Sequence, residues 1–322
     1  MPWQPSADIR QLKQRALVLS QIRAFFAARQ VLEVDTPVMS HYGVSDPHID
    51  SIPVSFTPDG SASSKAMCLM SSPEYAMKRL LAAGSGSIYQ IAKAFRNGEV
   101  GRRHNPEFTL LEWYRVEFDL EQLMQEVACL IDTVLVNEAL DWQFWSYRQA
   151  FQKVLQIDPL LATDEAIKQV ALAHVDIQMD GATPRDTWLD LLMSHCVEPK
   201  LPPACFIYDY PASQAALARV TQDAQGNNVA RRFEVYINGI ELANGYHELT
   251  DAQEQEKRFA LDNAARTVMG KATMNADVRL IQALDAGLPE CSGVALGIER
   301  LLMLAAGEND IARVMAFNHP LA

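Results

Sequence analysis

The sequence of 322 residues predicts an α+β fold, with helices and antiparallel strands in one chain. Residues 88–95 are apolar with β character and residues 108–113 return after a polar loop, which predicts a long hairpin. Residues 293–300 form a strand of small residues that leads directly into an apolar helix. Residues 9–29 carry apolar side chains near helical spacing, and Asp8 is placed to cap that helix.

The net charge of the chain is acidic. Lys and Arg number 28 and Asp and Glu number 40, so the formal charge is 28 − 40 = −12. A protein that wraps a large polyanion usually displays a basic surface. The average charge therefore argues against extensive contact with nucleic acid, although it allows a local basic patch.

The cysteines and the N-terminus predict a soluble cytoplasmic protein with no membrane partner. No two cysteines form a C-x-x-C pair, so we expect reduced core residues rather than a zinc or redox site. The N-terminal segment lacks the apolar core of a signal peptide, and no apolar run reaches the length of a membrane span. The cysteines are Cys68, Cys129, Cys196, Cys205 and Cys291.

The loop of the predicted hairpin is the first candidate binding site. It begins at Arg96, contains two glycines and three further basic residues, and is followed by Phe108. Arginine presents a planar fork of donors to a phosphate, and an aromatic ring can cover a purine face. The loop therefore predicts a nucleotide clamp; the alternative is a solvated surface hairpin with incidental charge.

The strand of residues 293–300 is the second candidate. Its glycines let a ligand lie against the backbone, and Arg300 opens a helix whose N-terminus favours anions. The chain has no G-x-x-x-x-G-K-[ST] loop, and residues 84–86 lack the third glycine of a dinucleotide fingerprint. Any nucleotide site must therefore be of another type.

These segments resemble the three motifs of the class II aminoacyl-tRNA synthetases. Residues 15–37 are similar to motif 1, residues 95–115 to motif 2 and residues 293–300 to motif 3, in the family's order. Within the class, HNPEFT, SPEYAMKR (residues 72–79) and GIELANGYHELTD (residues 239–251) resemble lysyl-tRNA synthetase. The resemblance covers nearly the whole chain and implies an antiparallel β-sheet flanked by helices.

The resemblance also implies how the chain is organised. We expect a single catalytic domain over residues 1–322, with a connecting region at residues 142–203 that packs on the same core. Motif 1, with Pro37 as its proline, would form a homodimer interface. Few residues precede motif 1 and the chain stops shortly after motif 3, so we expect no OB-fold anticodon-binding domain.

The resemblance implies an ATP site with Mg²⁺. Arg96 would contact the α-phosphate and the substrate carboxylate, and Arg300 the γ-phosphate; both are the expected catalytic residues. Phe108 would cover the adenine. The further expected ATP contacts are Asn97, Gly98, Glu99, His104, Asn105, Glu241, Leu242 and Gly297.

The resemblance implies an amino-acid pocket in addition. The expected substrate contacts are Ser72, Glu74, Tyr114, Asn244, Glu248 and Ala295. From the residues alone, the favoured role of Glu74 is to compensate the dipole of a helix that starts at Ser72-Pro73.

Two carboxylates, Glu241 and Glu248, are the expected metal ligands, and Glu248 is also the expected acceptor for the substrate's side-chain amine. Residues seven apart on a strand share a face only if a bulge lies between them, and Gly245 could supply one. The alternative is that both are exposed strand acids.

The chain departs from lysyl-tRNA synthetases at two positions. Gly98 stands where those enzymes have the glutamate of FRNE, and Glu99 follows it. Ala295 stands where they have the middle glycine of motif 3. One added methyl group changes selectivity by about 1–3 kcal/mol, which is enough to disfavour α-lysine.

The lysine-like pocket, the altered motif 3 and the missing anticodon domain resemble the elongation factor P lysine ligases. That resemblance implies activation of (R)-β-lysine with ATP and its transfer to a lysine of elongation factor P, with no tRNA as partner. One alternative is a truncated lysyl-tRNA synthetase that uses tRNA or another amine. The other is a catalytically inactive regulatory paralogue.

Overall fold

The structure is a computed structural model that describes residues 3–135, 140–176 and 183–322. It forms two compact units. The first unit comprises Met1–Phe118, Cys129–Asn137 and Thr250–Ala322, and the second comprises Asp119–Ala128 and Glu138–Leu249. The single domain over residues 1–322 stays a prediction.

Helices and strands are numbered in chain order. The helices are α1 (Ile9–Ala27), α2 (Glu74–Ala82), α3 (Leu120–Leu135), α4 (Tyr147–Leu155), α5 (Asp164–His174), α6 (Arg185–Leu192), α7 (Ala252–Val268), α8 (Val278–Gly287) and α9 (Ile298–Ala306). The strands are β1 (Leu32–Glu33), β2 (Met39–Ser40), β3 (Pro53–Phe56), β4 (Lys65–Leu69), β5 (Ile88–Phe95), β6 (Glu107–Val116), β7 (Gln143–Ser146), β8 (Ala204–Pro211), β9 (Val220–Gln222), β10 (Asn228–Ile237), β11 (Ile240–His247) and β12 (Cys291–Gly297). Among the described residues, no helix combines the length and apolar character that crossing a lipid bilayer requires.

The first unit is built on strands β1, β5, β6 and β12, which pair in that order. β5 and β6 form the predicted hairpin, with Ile88 opposite Tyr114 and Phe95 opposite Glu107. β12 is antiparallel to β6, and the short β1 is parallel to β5. A separate three-stranded sheet has the order β2-β4-β3. The α+β class with a largely antiparallel sheet is confirmed.

Helix α1 packs on this sheet through one apolar face. The side chain of Asp8 accepts a hydrogen bond from the backbone N–H of Gln11 at 2.8 Å, so the predicted cap is present. Phe26 is fully buried and stacks on Tyr89, with ring centroids 4.4 Å apart, and it meets Trp113 edge-on. Aromatic contacts therefore join the motif 1 helix to both strands of the hairpin.

The second unit has its own core. β10 lies between β8 and β11, antiparallel to both, and β7 is parallel to β8. The connecting region at residues 142–203 contains α4, α5 and α6, and α6 is continued by a π-turn at Met193–Val197. The buried apolar side chains of this core include Phe151, Trp188, Leu189 and Leu192.

The five cysteines are free thiols, as the sequence predicted. The expectation that all lie in the core is wrong for Cys129, which is exposed near the middle of α3. Its sulfur accepts a contact from the Arg29 guanidinium at 3.4 Å. An amphipathic helix has an exposed face, and Cys129 occupies it.

A buried carboxylate, Glu299, connects the three motif segments. It is 2% exposed and accepts hydrogen bonds from the Arg15 guanidinium at 2.9 Å and from the backbone N–H of Thr109 at 2.8 Å. The same guanidinium donates to the Thr109 hydroxyl at 2.8 Å. One residue from each motif therefore takes part in a single polar network.

Replacing Glu299 by Gln should lower the free energy of unfolding by about 2 kcal/mol, because Arg15 then faces no charge in a buried site. Urea unfolding followed by circular dichroism measures this. The matched control is Glu107→Gln, whose ion pair with Lys93 is exposed (51% and 46% of the side chains). That variant should change the value by less than about 1 kcal/mol. Equal losses in the two variants would contradict the central role of Glu299.

Candidate active site

The loop at the end of the hairpin, residues 96–106, is closed by backbone hydrogen bonds. The N–H of Arg96 donates to the carbonyl of Pro106 at 2.9 Å, and Gly101 and His104 exchange bonds of 3.1 and 3.2 Å. The N–H of Ile311 donates to the carbonyl of Arg102 at 2.9 Å. The loop is thus held in shape by its own backbone and by the C-terminal segment.

Gly98 has a conformation that explains why glycine stands at this position. Its φ is +81°, a region that residues with a side chain rarely adopt. Glu99 follows, and its carboxylate lies 3.6 Å from the Arg96 guanidinium. The acidic group of the loop is therefore displaced by one residue and remains beside Arg96.

Arg96 has donor capacity left for a ligand. Its Nε is buried and donates no hydrogen bond within the described part of the chain. Its guanidinium lies over the ring of Phe108, 5.1 Å from the centroid. A guanidinium and an aromatic ring are thus paired as the clamp hypothesis requires.

Arg300, in the first turn of α9, lies beside this loop. Its guanidinium donates to Nε2 of His104 at 3.0 Å, so that nitrogen carries no proton and the ring is neutral. Desolvation, followed by the charge of Arg300, lowers the pKa of His104. Because β12 and α9 are continuous, Gly297 caps the helix next to the Arg300 side chain.

Asn97 and Asn105 are both fixed by backbone contacts. The N–H of Asn97 donates to the carbonyl of Asp50 at 2.7 Å. Asn105 is buried; its Nδ2 donates to the carbonyl of Glu107 at 2.6 Å and its Oδ1 accepts from the N–H of His319 at 2.8 Å. Asn105 therefore orders the loop through its side chain.

A second polar group surrounds Glu112, a residue that the sequence reasoning missed. Glu112 is 2% exposed and accepts hydrogen bonds from the Ser72 hydroxyl and the Tyr114 hydroxyl, each at 2.7 Å. Two of the expected substrate contacts, Ser72 and Tyr114, thus meet at one carboxylate. Its position in FTLLEWYR, two residues before Tyr114 on the same face of β6, was the available signal.

Glu74 is paired inside its own helix. The buried Lys78 donates to Oε1 of Glu74 at 2.8 Å, one turn away. The N–H of Glu74, the first residue of α2, donates to the Ser72 hydroxyl at 3.0 Å. The carboxylate therefore has a local cationic partner in addition to the helix dipole, and it stays next to Ser72.

Ala295 flanks Glu112. The register of β12 on β6 puts Ala295 directly opposite Glu112 and Gly293 opposite Tyr114, so these side chains share one face. The added methyl group of Ala295 therefore lies beside the carboxylate that holds Ser72 and Tyr114.

A cavity of about 160 Å³ adjoins this group. Ser72 and Glu74 line it together with residues 39–44. The hydroxyls of Ser51 and Ser71 in its wall are buried and have no hydrogen-bond partner among the described residues. These two hydroxyls are therefore hydrogen-bonding groups next to the cavity that the described residues leave unused.

In the second unit, a β-bulge sets which side chains of β11 share a face. Val235 pairs with Ala243 and Tyr236 with Glu241, so Leu242 is the extra residue. The predicted bulge exists, but its predicted position at Gly245 is wrong, because Gly245 pairs in regular register with Phe233. The extra residue puts Glu241 on the same face as Asn244.

This face of the second unit is polar. The side-chain Oδ1 of Asn244 is buried and accepts no hydrogen bond within the described residues. Glu248, just beyond β11, is 1% exposed. Glu234 lies directly opposite Asn244 and accepts from the hydroxyls of Tyr210 and Tyr236 at 2.7 and 2.5 Å.

Glu234 was also missed, because an acid in the strand FEVYI gives no motif signal until the register of β10 and β11 is known. The alternative that Glu241 and Glu248 are exposed strand acids does not hold for Glu248, which is buried.

The donor set suits Mg²⁺ bound to a polyphosphate. Within the described residues, no three His, Cys, Asp or Glu side chains are grouped to hold a metal by themselves. Mg²⁺ is usually held by one or two carboxylates together with substrate phosphates and water, and Glu241 on β11 and Glu248 just beyond it are carboxylates of this kind. The first unit offers guanidinium groups for phosphates and a buried carboxylate, Glu112, among hydroxyls.

His104 predicts a pH dependence of stability. Because its pKa is lowered on folding, its contribution is present above the ordinary value near 6.5 and is lost as the pH falls below it. Between pH 7.5 and 5.5 we expect the wild type to lose more unfolding free energy than His104→Gln, by less than about 1 kcal/mol because solvent screens the ring. Urea titrations at both pH values measure this. Parallel losses in the two proteins would contradict the neutral pairing with Arg300.

Comparison with known proteins identifies relatives over nearly the whole chain. The model of the family described as tRNA synthetases class II (D, K and N) matches residues 6–320. A Vibrio cholerae protein named elongation factor P (R)-β-lysine ligase is 53% identical, over 99% of this chain and 98% of its own. Proteins of the same name from Proteus mirabilis and Salmonella paratyphi B are 51% and 49% identical, each over 98% of this chain and 97% of its own.

The match over residues 6–320 includes the three motif segments recognised in the sequence. The resemblance on which the expected site was based is therefore confirmed at the level of the family. The chain belongs to the class II tRNA synthetase family that groups the D, K and N enzymes.

Proposed function

We propose that this protein is an ATP-dependent ligase that activates (R)-β-lysine as an adenylate and transfers it to a lysine of elongation factor P. Relatives that are about half identical over almost their full length carry that name. The observation that carries the proposal is the loop at residues 96–106, where Arg96 has an unused buried donor beside Phe108 and Arg300 is adjacent through His104.

In the activation step, a carboxylate oxygen of the amino acid attacks the α-phosphorus of ATP, and pyrophosphate leaves. Two anions must approach each other, so the step needs charge neutralisation and alignment more than proton transfer. We assign Arg96 to the α-phosphate and the attacking carboxylate, and Arg300 to the γ-phosphate. Phe108 would cover one face of the adenine.

The rest of the ATP contacts are proposed on the family resemblance. Glu99 beside Arg96 is available to an adenine amino group, and Gly98 and Gly297 let the nucleotide approach the backbone. Mg²⁺ would neutralise the phosphates. Its proposed ligands are Glu241 and Glu248, with Leu242 as a further ATP contact.

The substrate amines are assigned to carboxylates. In the first unit Ser72 and Glu74 line the cavity and Glu112 is hydrogen-bonded to Ser72, so an ammonium group that enters the cavity would find the Glu74 carboxylate there. In the second unit we assign the side-chain amine to Glu248 and a polar contact to Asn244. Tyr114 would orient Glu112 through its 2.7 Å hydrogen bond.

In the transfer step, the ε-amino group of the acceptor lysine attacks the carbonyl carbon of the adenylate. An amide bond forms, the amine loses a proton, and AMP leaves. We infer that the acceptor is a protein and that the enzyme acts as a homodimer through residues 15–37. Both statements rest on the relatives' name and on the family resemblance.

The decisive experiment incubates the protein with ATP, Mg²⁺ and radiolabelled (R)-β-lysine, with either elongation factor P or tRNA as acceptor. We expect label on the factor only, and AMP in equal amount. Arg96→Ala should lower pyrophosphate exchange at least about 100-fold, because a donor made for the transition state is lost. Lys93→Ala, on the exposed side of the same hairpin, is the control and should retain exchange.

If tRNA became labelled and elongation factor P stayed unmodified, the acceptor would be tRNA, and the protein would be a truncated synthetase. If no diamino acid supported pyrophosphate exchange, the alternative of a catalytically inactive paralogue would be favoured. Either result would contradict the proposed activity.

Ala295→Gly tests the selectivity assigned to motif 3. Removing one methyl group next to Glu112 should raise kcat/KM for α-lysine relative to (R)-β-lysine by about 10-fold, within the range expected for one carbon. Pyrophosphate exchange with each amino acid measures the ratio. Ala66→Gly, on the separate three-stranded sheet, is a control that should leave the ratio unchanged. An unchanged ratio in Ala295→Gly would remove Ala295 as a selector.

A further inference from the structure

Arg266, in the last turn of α7, is a buried cation bonded mainly to backbone carbonyls. It is 1% exposed. Its Nε donates to the carbonyl of Ala272 at 2.7 Å, and one terminal nitrogen donates to the carbonyls of Asp46 and Ile49 at 2.9 and 3.1 Å. The other terminal nitrogen donates to the carboxylate of Asp50 at 2.8 Å. The two terminal nitrogens of this planar fork thus bind one stretch of chain, residues 43–50, which we call the bridging segment, and Nε binds the segment that follows α7.

Lys271 adds to the same attachment. Its Nζ donates to the carbonyl of Pro47 at 2.7 Å and lies 2.9 Å from Oδ2 of Asp50. Lys271 and then Arg266 hold the pKa of Asp50 below its usual range, so its carboxylate is charged when both cations bind it. Lys271, in the segment after α7, therefore holds the bridging segment by a hydrogen bond to a backbone carbonyl and by an ion pair with Asp50.

The bridging segment reaches two parts of the candidate site. The carbonyl of Asp50 accepts the 2.7 Å hydrogen bond from the N–H of Asn97, the residue that follows Arg96. At its other end, Gly43 and Val44 line the cavity next to Ser72 and Glu74.

The fit between the two segments is close. A Cβ atom on Gly43 would lie 3.0 Å from the Ser51 hydroxyl and 3.3 Å from the Met274 sulfur. Asp262 in α7 accepts from the Ser45 hydroxyl at 2.7 Å. A displacement of the bridging segment would therefore change the start of the loop at residues 96–106 and the cavity wall together.

We propose that Arg266 is a positioning residue for ATP binding. It acts through Asp50, whose backbone carbonyl fixes the position of the Asn97 backbone. Because Arg96 lies between the end of β5 and Asn97, this contact also sets the orientation of Arg96. This inference rests on the proposed function in one respect, that the loop at residues 96–106 binds ATP. A residue that only stabilised the fold would lower the amount of folded enzyme without changing the affinity of the remainder.

The test measures the Kd of ATP with Mg²⁺ by isothermal titration calorimetry on the full chain. Arg266→Met should raise Kd about 10-fold, because several charged hydrogen bonds to the bridging segment are lost. Arg266→Lys keeps the charge and should raise it less. Asp50→Asn keeps the backbone carbonyl and shape but weakens the attachment, so we expect a rise of about threefold.

The matched control is Arg258→Met, two turns earlier in α7, where the guanidinium bonds Glu254 of the same helix at 3.0 Å. Its Kd should stay within about twofold of the wild type. Circular dichroism confirms that each variant is folded, and Asp50→Asn carries the test if Arg266→Met does not fold. Folded Arg266→Met and Asp50→Asn with wild-type Kd values would overturn the inference. Absence of ATP binding by the wild type would instead sink the proposed function.

Discussion

The buried carboxylate of Glu299 is the constraint on which the rest of the first unit depends. A charged group with 2% exposure is tolerated only when its oxygens are fully bonded, and its partners here are Arg15 and the backbone of Thr109. Those partners come from α1 and β6, and Glu299 itself from α9. Satisfying one charge therefore sets the relative position of three segments that are far apart in the chain. Arg300, the next residue, takes its place beside His104 as a result.

Much of the fold could be predicted from local patterns. The helix capped by Asp8, the hairpin of β5 and β6 and the strand that leads into α9 each follow from residues close together in sequence. The family resemblance, which the comparisons confirm, supplied the type of sheet. Details that depend on pairing with a distant strand were harder to predict. The bulge lies at Leu242 rather than Gly245 because its position is set by the pairing of β11 with β10, and not by where the strand contains a glycine.

In the candidate site, too, residues with a local sequence signal could be predicted, and residues whose role depends on distant neighbours could not. Arg96, Phe108 and Arg300 could be named because guanidinium and aromatic residues in a loop have a recognisable chemistry. Glu112 and Glu234 were missed because each lies inside a strand, where an acid has no distinguishing signal until its neighbours are known. The structure shows Glu112 between Ser72, Tyr114 and Ala295, which joins three separate expectations at one carboxylate. Gly98 is the opposite case. The sequence shows only that glycine stands where lysyl-tRNA synthetases have a glutamate, and the positive φ of Gly98 explains why glycine is used there.

The bonding of Arg266 has a consequence for how this region can vary among relatives. Because its guanidinium binds the main-chain oxygens of Asp46 and Ile49, the two side chains between them, Pro47 and His48, can change without losing those bonds. An inserted or deleted residue in the same stretch would move both oxygens out of reach. Selection there should therefore act on the number of residues more strongly than on their identity.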